Sequence, residues 1–402
     1  MSGSYISMGY DFDNSPWDTT EFKLTPLNGA FIQYRKHHWS GTVDSWTTLS
    51  GTTYFQFADP NKPHHTGFNC THIDIKGIGN SNKTGPFLAT SYDYGYIAIS
   101  GDLESLIEGE GSSVTDFNLP NRAFYQMFKT VNGNVTNIKN LVFPNKPMST
   151  ECCYQMFANN SQLKTDNISI LSNALAPSCY KEMFLGCSQM TVVPGLPKTV
   201  LADNCYEGMF QNCSSLVNSP SLPKNTDLVN SCYKNMFKGC TKLKSLPFNR
   251  LRSTSMQASC CEGMFYGCTS LNELPQLPTI NLANRCYYQM FYGCTGIALS
   301  SAKTFEYATP YRIPSGTATG IAGTNSLTDM FGNTGGPFTG TPSINTIYYL
   351  PGGGTISCPI YVGVNDKARE ITNLYVGVNG KARKVTAIYV GVNGKARQIF
   401  KD

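Results

Sequence analysis

The chain has 402 residues, of which 41% are hydrophobic and 12% aromatic, a content that excludes a generally disordered protein. Only 14% of the residues are charged, which is more typical of a β-rich extracellular or virion protein than of a helical cytosolic enzyme. No apolar run approaches the roughly 20 residues that cross a bilayer, and the first ten residues lack the basic and apolar segments of a secretion signal. We therefore expect neither membrane insertion nor a secretion signal.

Residues 1–114 contain no repeat and are predicted to form a small β domain. Short apolar or alternating runs at 54–57, 72–75 and 96–99 are separated by Gly, Asn, Pro and Ser. This pattern is typical of short antiparallel strands joined by turns. We expect the domain to cap the first coil of the repeats that follow it.

All histidines of the chain lie in this N-terminal region, at His37, His38, His64, His65 and His72. They could build a metal site. Because no cluster of carboxylates lies at ligand spacing, surface or packing roles are favoured. The sequence predicts no metal site and no cofactor.

The dipeptide Met-Phe marks a repeat that fills residues 115–334. It occurs eight times, at intervals of 26 to 40 residues, which is the signature of about eight stacked structural units. The methionines are Met127, Met156, Met183, Met209, Met236, Met264, Met290 and Met330.

The best copies of the repeat read Cys-Tyr-x-x-Met-Phe-x-Gly-Cys-x-x-Leu-x-x-x-Pro. The four apolar positions at its start fall on one face of a two-turn helix. Ser178, Asn204, Ser231 and Ser259 precede the first Cys and could cap that helix. A short strand is expected around the Leu and Pro positions. Gly or Asn two residues after Phe predicts a left-handed helix stop, at Asn159, Gly186, Asn212, Gly239, Gly267, Gly293 and Asn333.

Thirteen of the 15 cysteines lie between Cys152 and Cys294. The array has no Cys-x-x-Cys and no His, which argues against zinc. Asn and Thr replace the second Cys in two copies, an exchange that a disulfide does not tolerate, although stacked repeats could still bring equivalent cysteines within bonding range. We predict a packed, weakly hydrogen-bonded ladder formed by Cys187, Cys213, Cys240, Cys268, Cys294, Asn160 and Thr334.

The chain ends in a Gly- and Pro-rich connector, residues 335–357, and a second repeat, residues 358–402. Tyr-Val-Gly-Val-Asn recurs at Tyr361, Tyr375 and Tyr389, and the Asn-Gly or Asn-Asp that follows favours two-residue hairpin turns. Three hairpins are predicted, packed as a meander, on the preceding domain, or against other copies of the chain.

These hairpins hold the whole net charge of the protein. Residues 361–402 contain eight Lys or Arg and three acids, an excess equal to the +5 of the full chain. The charge is explained most simply as a solvated basic edge that prevents strand aggregation. If the hairpins also contact a partner, we prefer attachment or oligomerisation over receptor contact, through Lys367, Arg369, Lys381, Arg383, Lys395 and Arg397.

The segment Met-Phe-x-Gly-Cys-x-x-Leu, with a Leu-Pro after it at 196–197, 222–223 and 277–278, resembles the BspA-like leucine-rich repeats of bacterial surface proteins. The tail hairpins resemble segments near the ends of bacteriophage tail and other virion proteins. The first resemblance implies an α/β leucine-rich-repeat solenoid, here between an N-terminal β domain and a C-terminal hairpin module. It also implies adhesion or recognition, with no catalytic residues to transfer.

We predict a protein that is not an enzyme, because the array offers neither a nucleophile with a base nor paired carboxylates. Gly77 to Thr84 nearly matches a phosphate-binding loop, but Asn82 replaces its required Gly. The leading hypothesis is a tail- or fibre-associated phage virion protein that binds host cell-surface protein or glycan and other virion proteins, not nucleic acid. A bacterial cell-surface adhesin is the main alternative, and a glycan-degrading fibre enzyme the minor one.

Aromatic side chains at exposed positions are the best ligand-binding candidates, since they offer contact area at low entropy cost. Tyr266, Tyr288 and Tyr292 cluster in the last repeats. The alternative is that they pack against the C-terminal region.

Overall fold

The computed structural model describes residues 5–10, 19–58, 70–94, 96–109, 117–130, 135–165 and 174–352, with short gaps in the last range at 198, 224–226, 247–249, 252, 254 and 305. It also describes residues 168, 170 and 172 and the paired strands between 360 and 401. The chain forms two compact units, residues 1–303 with 309–350, and residues 304–308 with 351–402. No helix in the described residues is both long enough and apolar enough to span a bilayer.

In the described residues, the regular secondary structure consists of short strands and one 3-10 helix, Leu103–Leu106. The strands are β1 (Ile6–Tyr10), β2 (Thr19–Pro26), β3 (Ile32–His38), β4 (Thr47–Thr48), β5 (Thr53–Ala58), β6 (Cys70–Gly77), β7 (Leu88–Tyr94), β8 (Ile97–Asp102), β9 (Val135–Asn137), β10 (Leu141–Val142), β11 (Tyr307–Arg312), β12 (Ile347–Pro351), β13 (Ile360–Val364), β14 (Lys367–Ile371), β15 (Tyr375–Val378), β16 (Lys381–Lys384), β17 (Ala387–Val392) and β18 (Lys395–Lys401).

The N-terminal region contains the antiparallel strands predicted from the sequence. A seven-stranded sheet has the order β10-β8-β1-β6-β3-β4, with β9 also pairing with β8, and a three-stranded sheet has the order β5-β2-β7. The pairs of β1 with β6 and β8, and of β3 with β6, are antiparallel. Strands β9 and β10, from the start of the repeat region, join β8 in parallel.

Side chains alternate between the two faces of this sheet. Ile6 and Met8 of β1 and Ile73 and Ile75 of β6 are at most 1% exposed and belong to the hydrophobic core. The residues between them are polar and lie on the opposite face. One face therefore stabilises the fold, while the other is free to carry polar groups.

The α-helices predicted for the repeats do not form. The Met-Phe segments consist of turns, and the described structure as a whole is about 24% strand and 1% helix. The expected short strands are reduced to isolated parallel bridges, such as Asn218 with Ser245 and Leu228 with Met256. The α/β class and the leucine-rich-repeat solenoid are therefore wrong for this chain.

The backbone conformation gives the physical reason. In the repeat around Met183, φ is positive at Ser178 (56°), Glu182 (54°) and Gly186 (75°), three residues spaced by four. Left-handed residues cannot sit inside a right-handed helix without a cost of about 1–2 kcal/mol each. Apolar residues at positions 0, 1, 4 and 5 fit a helix, but they fit successive four-residue turns equally well, and the turns are what forms.

The predicted helix caps and helix stops are both affected by this backbone conformation. The proposed helix caps Ser178, Asn204, Ser231 and Ser259 have φ between 50° and 58°, whereas a capping residue is extended. The proposed helix stops do have positive φ, between 56° and 76°, but they close a run of turns rather than a helix, at Asn159, Gly186, Asn212, Gly239, Gly267, Gly293 and Asn333.

Hydrogen bonds join each turn segment to the next repeat. Alternate N–H groups donate to the next repeat, as Tyr180 N does to Cys205 O (3.1 Å) and Phe184 N to Met209 O (2.9 Å). The intervening N–H groups close turns, as Met183 N does to Tyr180 O (3.3 Å). The first kind forms five columns of bonds of 2.7–3.1 Å that run through successive repeats.

All peptide groups in these columns point the same way, with N–H toward the C-terminal repeats and C=O toward the N-terminal ones. Each end of the stack therefore leaves polar groups that need partners. At the first repeat, Gly85 N donates to Asn121 O and the Thr90 hydroxyl to Met127 O. At the last, Phe331 N donates to Gly340 O.

Aromatic rings fill the core of the stack. The Phe of each Met-Phe pair lies on the Phe of its neighbour, with ring centroids 5.3–5.8 Å apart, from Phe128 to Phe331. Tyr180, Tyr206 and Tyr233 form a second column at 5.9–6.0 Å. Full burial of each ring contributes about 1.5–3 kcal/mol, so this repeated packing holds the turns in place.

The three C-terminal hairpins are confirmed. Strands β13 and β14, β15 and β16, and β17 and β18 pair antiparallel, with Val364 opposite Lys367, Val378 opposite Lys381, and Val392 opposite Lys395. Their turn residues lie outside the described part of the chain. The predicted meander is wrong for the described strands, because each hairpin is a separate two-stranded sheet.

Candidate functional site

The outward-facing positions of the last repeats hold the three tyrosines nominated from the sequence, all half-buried. Tyr266 and Tyr292 occupy the same position in consecutive repeats and stack with ring centroids 4.9 Å apart. Lys238 Nζ lies 4.9 Å from the Tyr266 ring, and Asn333 Nδ2 donates to the Tyr292 hydroxyl (2.8 Å). A Cβ at Gly332 would come within 2.5 Å of the Tyr292 ring. The pair is therefore covered on both outer faces and presents ring edges and hydroxyls.

Tyr288 has a different environment. The Arg285 guanidinium lies 3.9 Å from its ring centroid and donates two hydrogen bonds to Glu262 (3.0 and 2.8 Å). Lys234 Nζ lies 3.4 Å from the same carboxylate. These cations hold the pKa of Glu262 below its usual value against the opposing effect of burial, and Glu262 raises the pKa of Arg285. The structure thus pairs Tyr266 with Tyr292 and packs Tyr288 into a charged network.

The ladder residues lie in the core. Cys187 Sγ donates to Phe157 O (3.2 Å), and Cys213, Cys240, Cys268 and Cys294 each donate to the corresponding Phe carbonyl at 2.9–3.2 Å. Asn160 Nδ2 donates to Phe128 O (2.7 Å), and Thr334 Oγ1 to Phe331 O (2.9 Å).

All 14 cysteines of the described residues are free and buried. Burial raises the pKa of Cys205, Cys240 and Cys294 to about 12, which keeps these thiols protonated at neutral pH. Protonated thiols are poor nucleophiles and poor metal ligands. We therefore assign the buried cysteines of the repeats a packing role.

The nominated attachment residues lie in the second strand of each hairpin. Lys367 and Arg369 are in β14, Lys381 and Arg383 in β16, and Lys395 and Arg397 in β18, always two residues apart.

A second candidate group of side chains lies on the polar face of the N-terminal sheet. Strand pairing places Ser7, Asp74 and Arg35 in one row across β1, β6 and β3. The Asp74 side chain is 1% exposed. It accepts hydrogen bonds from Ser7 Oγ (2.5 Å), Arg35 Nε (2.9 Å) and His37 Nε2 (2.6 Å).

The next row holds His72 and His37, whose rings stack with centroids 4.0 Å apart. Gly9 completes this row, and a Cβ there would meet His72 Cβ at 2.8 Å. Burial, reinforced by the neighbouring His37, lowers the pKa of His72, so its imidazole is neutral at neutral pH. One ligand atom each of His37, His72 and Asp74 lies within 4.8 Å of the others.

Aromatic and basic side chains surround this cluster. The Arg35 guanidinium lies 5.0 Å from the Tyr5 ring and 4.6 Å from the Trp46 ring. Lys76 Nζ lies 4.2 Å from the Trp46 ring. The contacts with Tyr5 and Trp46 help to fix Arg35 in place.

The sequence favours surface or packing roles for His37 and His72, and it does not single out Asp74, which stands inside an apolar-looking strand. The missed signal was the spacing, since His72 and Asp74 are two residues apart and must share a face. His38 does not join the cluster and pairs with Asp44 (2.9 Å). His64 and His65 lie outside the described residues.

Comparison with known proteins finds no match: no family model, curated protein or solved structure matches the chain.

Proposed function

We propose that the protein is a non-enzymatic recognition protein of a bacteriophage particle, associated with its tail or fibre, that binds the host cell surface through the outward face of its repeats. The observation that carries the proposal is the ordered Tyr266 and Tyr292 pair at the C-terminal end of the stack. The viral assignment follows the resemblance of the tail hairpins.

Rigid presentation supports a binding role. Five columns of hydrogen bonds and a continuous ring stack hold the outward side chains at fixed positions. A partner that contacts them does not have to order a loop first, so little conformational entropy is lost on binding. Tyr is also enriched among residues that dominate binding energy.

The geometry of the pair favours one kind of partner. Because both outer ring faces are covered, a sugar cannot stack flat on either Tyr266 or Tyr292. The exposed edges and hydroxyls, with Lys238 beside them, suit a protein that offers acidic and hydrogen-bonding groups. Host surface protein is therefore favoured over glycan.

The test measures adsorption of the purified chain to host envelopes for the variant Tyr266→Ala with Tyr292→Ala. We expect at least a tenfold loss of affinity. The matched control is Tyr125→Ala with Tyr154→Ala, since these half-buried rings also stack across two repeats, 5.0 Å apart, at the other end of the array. Equal adsorption of both variants and the unmodified protein would discard the binding role.

The basic hairpins are proposed to attach the chain to other virion proteins or to further copies of itself. Deletion of residues 361–402 should change the assembly state in solution while leaving the far-ultraviolet circular dichroism of the repeats intact. Mass spectrometry of purified particles separates the phage proposal from a bacterial adhesin, because only a virion protein is recovered with the particles.

A further inference from the structure

The polar face of the N-terminal sheet has the composition of a metal site. Two imidazoles and one carboxylate converge there from strands β3 and β6, with one ligand atom of each within 4.8 Å of the other two. Two His and one carboxylate on one side of a metal ion leave further coordination positions open. We propose that His37, His72 and Asp74 bind one divalent transition-metal ion.

The hydrogen bonds around His72 determine which of its nitrogens is available. The Thr71 hydroxyl donates to His37 O (3.2 Å) and lies 2.9 Å from His72 Nδ1. A hydroxyl has one proton, so Thr71 Oγ1 must accept from His72 Nδ1–H. Nε2 of the neutral ring then carries a lone pair, the form in which imidazole binds a metal. Thr71 also fixes the orientation of the ring, as outer partners of metal-bound histidines do.

His37 and Asp74 already face each other across a shared proton, with Nε2 and Oδ2 2.6 Å apart. A metal ion would take the place of that proton, and His37 would bind as the neutral imidazole whose one proton lies on Nδ1 instead of Nε2. Metal bonds of about 2.0–2.2 Å at a tetrahedral angle place two ligand atoms about 3.4 Å apart, so the His37–Asp74 pair must open by less than about 1 Å. The His37 ring must also turn out of its stack with His72, because two parallel rings cannot both direct an in-plane lone pair at one ion. Ser7 remains on the other carboxylate oxygen and holds the group in place.

The surrounding charge selects the kind of metal. Arg35 lies 2.9 Å from the carboxylate and neutralises it, so the site has no net negative charge to attract a hard cation. Mg²⁺ and Ca²⁺ require several oxygen ligands and are excluded on this ground. Binding must come mainly from the two imidazoles, which favour ions such as Co²⁺, Ni²⁺, Cu²⁺ and Zn²⁺.

The experiment titrates the full chain with Co²⁺, using calorimetry for stoichiometry and visible absorption to identify the ligands. We expect one ion per chain, bound with the spectrum of nitrogen and oxygen ligands and without the intense near-ultraviolet band of cobalt thiolate. Mg²⁺ at the same concentration should give no heat of binding. A cobalt thiolate spectrum would overturn the proposal, because it would assign the ion to cysteines.

Two single variants, His37→Gln and His72→Gln, should each weaken Co²⁺ binding at least tenfold. The matched control is His38→Gln, the neighbouring histidine on β3 that pairs with Asp44 instead. A second control changes His64 and His65 to Gln. Unchanged binding in both single variants, or loss of binding in either control, would refute the site. Circular dichroism without metal verifies that each variant is folded.

Discussion

The repeat stack and the N-terminal sheet are stabilised by different kinds of contact. In the stack the backbone hydrogen bonds and the Phe contacts recur from one repeat to the next, about 27 residues away in the case of Phe157 and Phe184. In the N-terminal region the polar cluster joins Ser7, Arg35 and Asp74, residues 39 and 67 positions apart, through contacts that occur once. Repetition makes the first region visible in the sequence, whereas a single long-range site leaves almost no trace.

The three tryptophans, Trp17, Trp39 and Trp46, all precede the repeats, so Trp fluorescence reports the N-terminal region alone. Circular dichroism and tyrosine fluorescence report mainly the stack. The two regions can thus be compared in one unfolding experiment.

The largest effect is expected for Phe210→Ala, in the middle of the ring column. Phe210 is fully buried between Phe184 and Phe237, and a large-to-small change in such a core costs about 3–5 kcal/mol. Denaturant unfolding followed by circular dichroism should show this loss, with hydrogen exchange accelerated first in the adjacent repeats. Gln211→Ala, next to it on the outward side, is the control and should cost little. Equal loss in both variants would contradict the role of the ring column.

The next effect is that of Asp74→Asn, which removes the charge that Arg35 faces. Breaking a fully buried pair costs about 3–5 kcal/mol. Because the Arg35 side chain is 22% exposed, we expect Asp74→Asn to lower the free energy of unfolding by about 2–4 kcal/mol. Denaturant unfolding followed by Trp fluorescence measures this loss. Asp44→Asn breaks the exposed pair with His38 and should cost at most about 1 kcal/mol. A stack that unfolds together with the sheet in Asp74→Asn would show that the two regions are not independent.

The rates at which cysteine thiols react distinguish the sheet from the stack. Burial raises the pKa of Cys70 in the sheet to about 11, against about 12 for Cys240 in the stack. A raised pKa keeps the thiol protonated, so at pH 8 the thiolate fraction is about 100-fold below that of an ordinary thiol for Cys70 and lower still for Cys240. Native labelling should modify Cys70 before any stack cysteine. In denaturant without reductant all 15 thiols should react, and a count near zero would contradict the ladder.

The smallest expected change in stability concerns the backbone of the stack, and its sign distinguishes turns from a helix. Gly208 has φ of +60°, so Gly208→Ala should destabilise by about 1–2 kcal/mol. In the helix predicted from the pattern, the same change would stabilise by about 0.5–1 kcal/mol. Chemical denaturation followed by circular dichroism measures the change in unfolding free energy. A stabilised variant would contradict the turns and support a helix in the repeats.

Some features of the fold could be read directly from residue types. Asn and Gly at the end of seven of the eight Met-Phe segments correctly indicate positive φ, because few other residues adopt it cheaply. The two Asn-Gly pairs and the one Asn-Asp pair of the tail correctly indicate three antiparallel strand pairs. The prediction of a helix was wrong because apolar spacing alone does not distinguish a 3.6-residue from a four-residue period over two turns. In addition, polar residues such as Glu182 adopt positive φ in the repeats.

The sequence by itself determined where the repeats lie, which side chains are buried and that the backbone is left-handed at the Gly or Asn two residues after Phe, since these depend on local chemistry that recurs along the array. Only the tertiary structure decided that the turns bond to the next repeat in five columns, that Tyr266 stacks on Tyr292, and that Asp74 meets His37 and His72. These contacts depend on strand register and on the stacking of repeats, which are set by packing across the whole molecule.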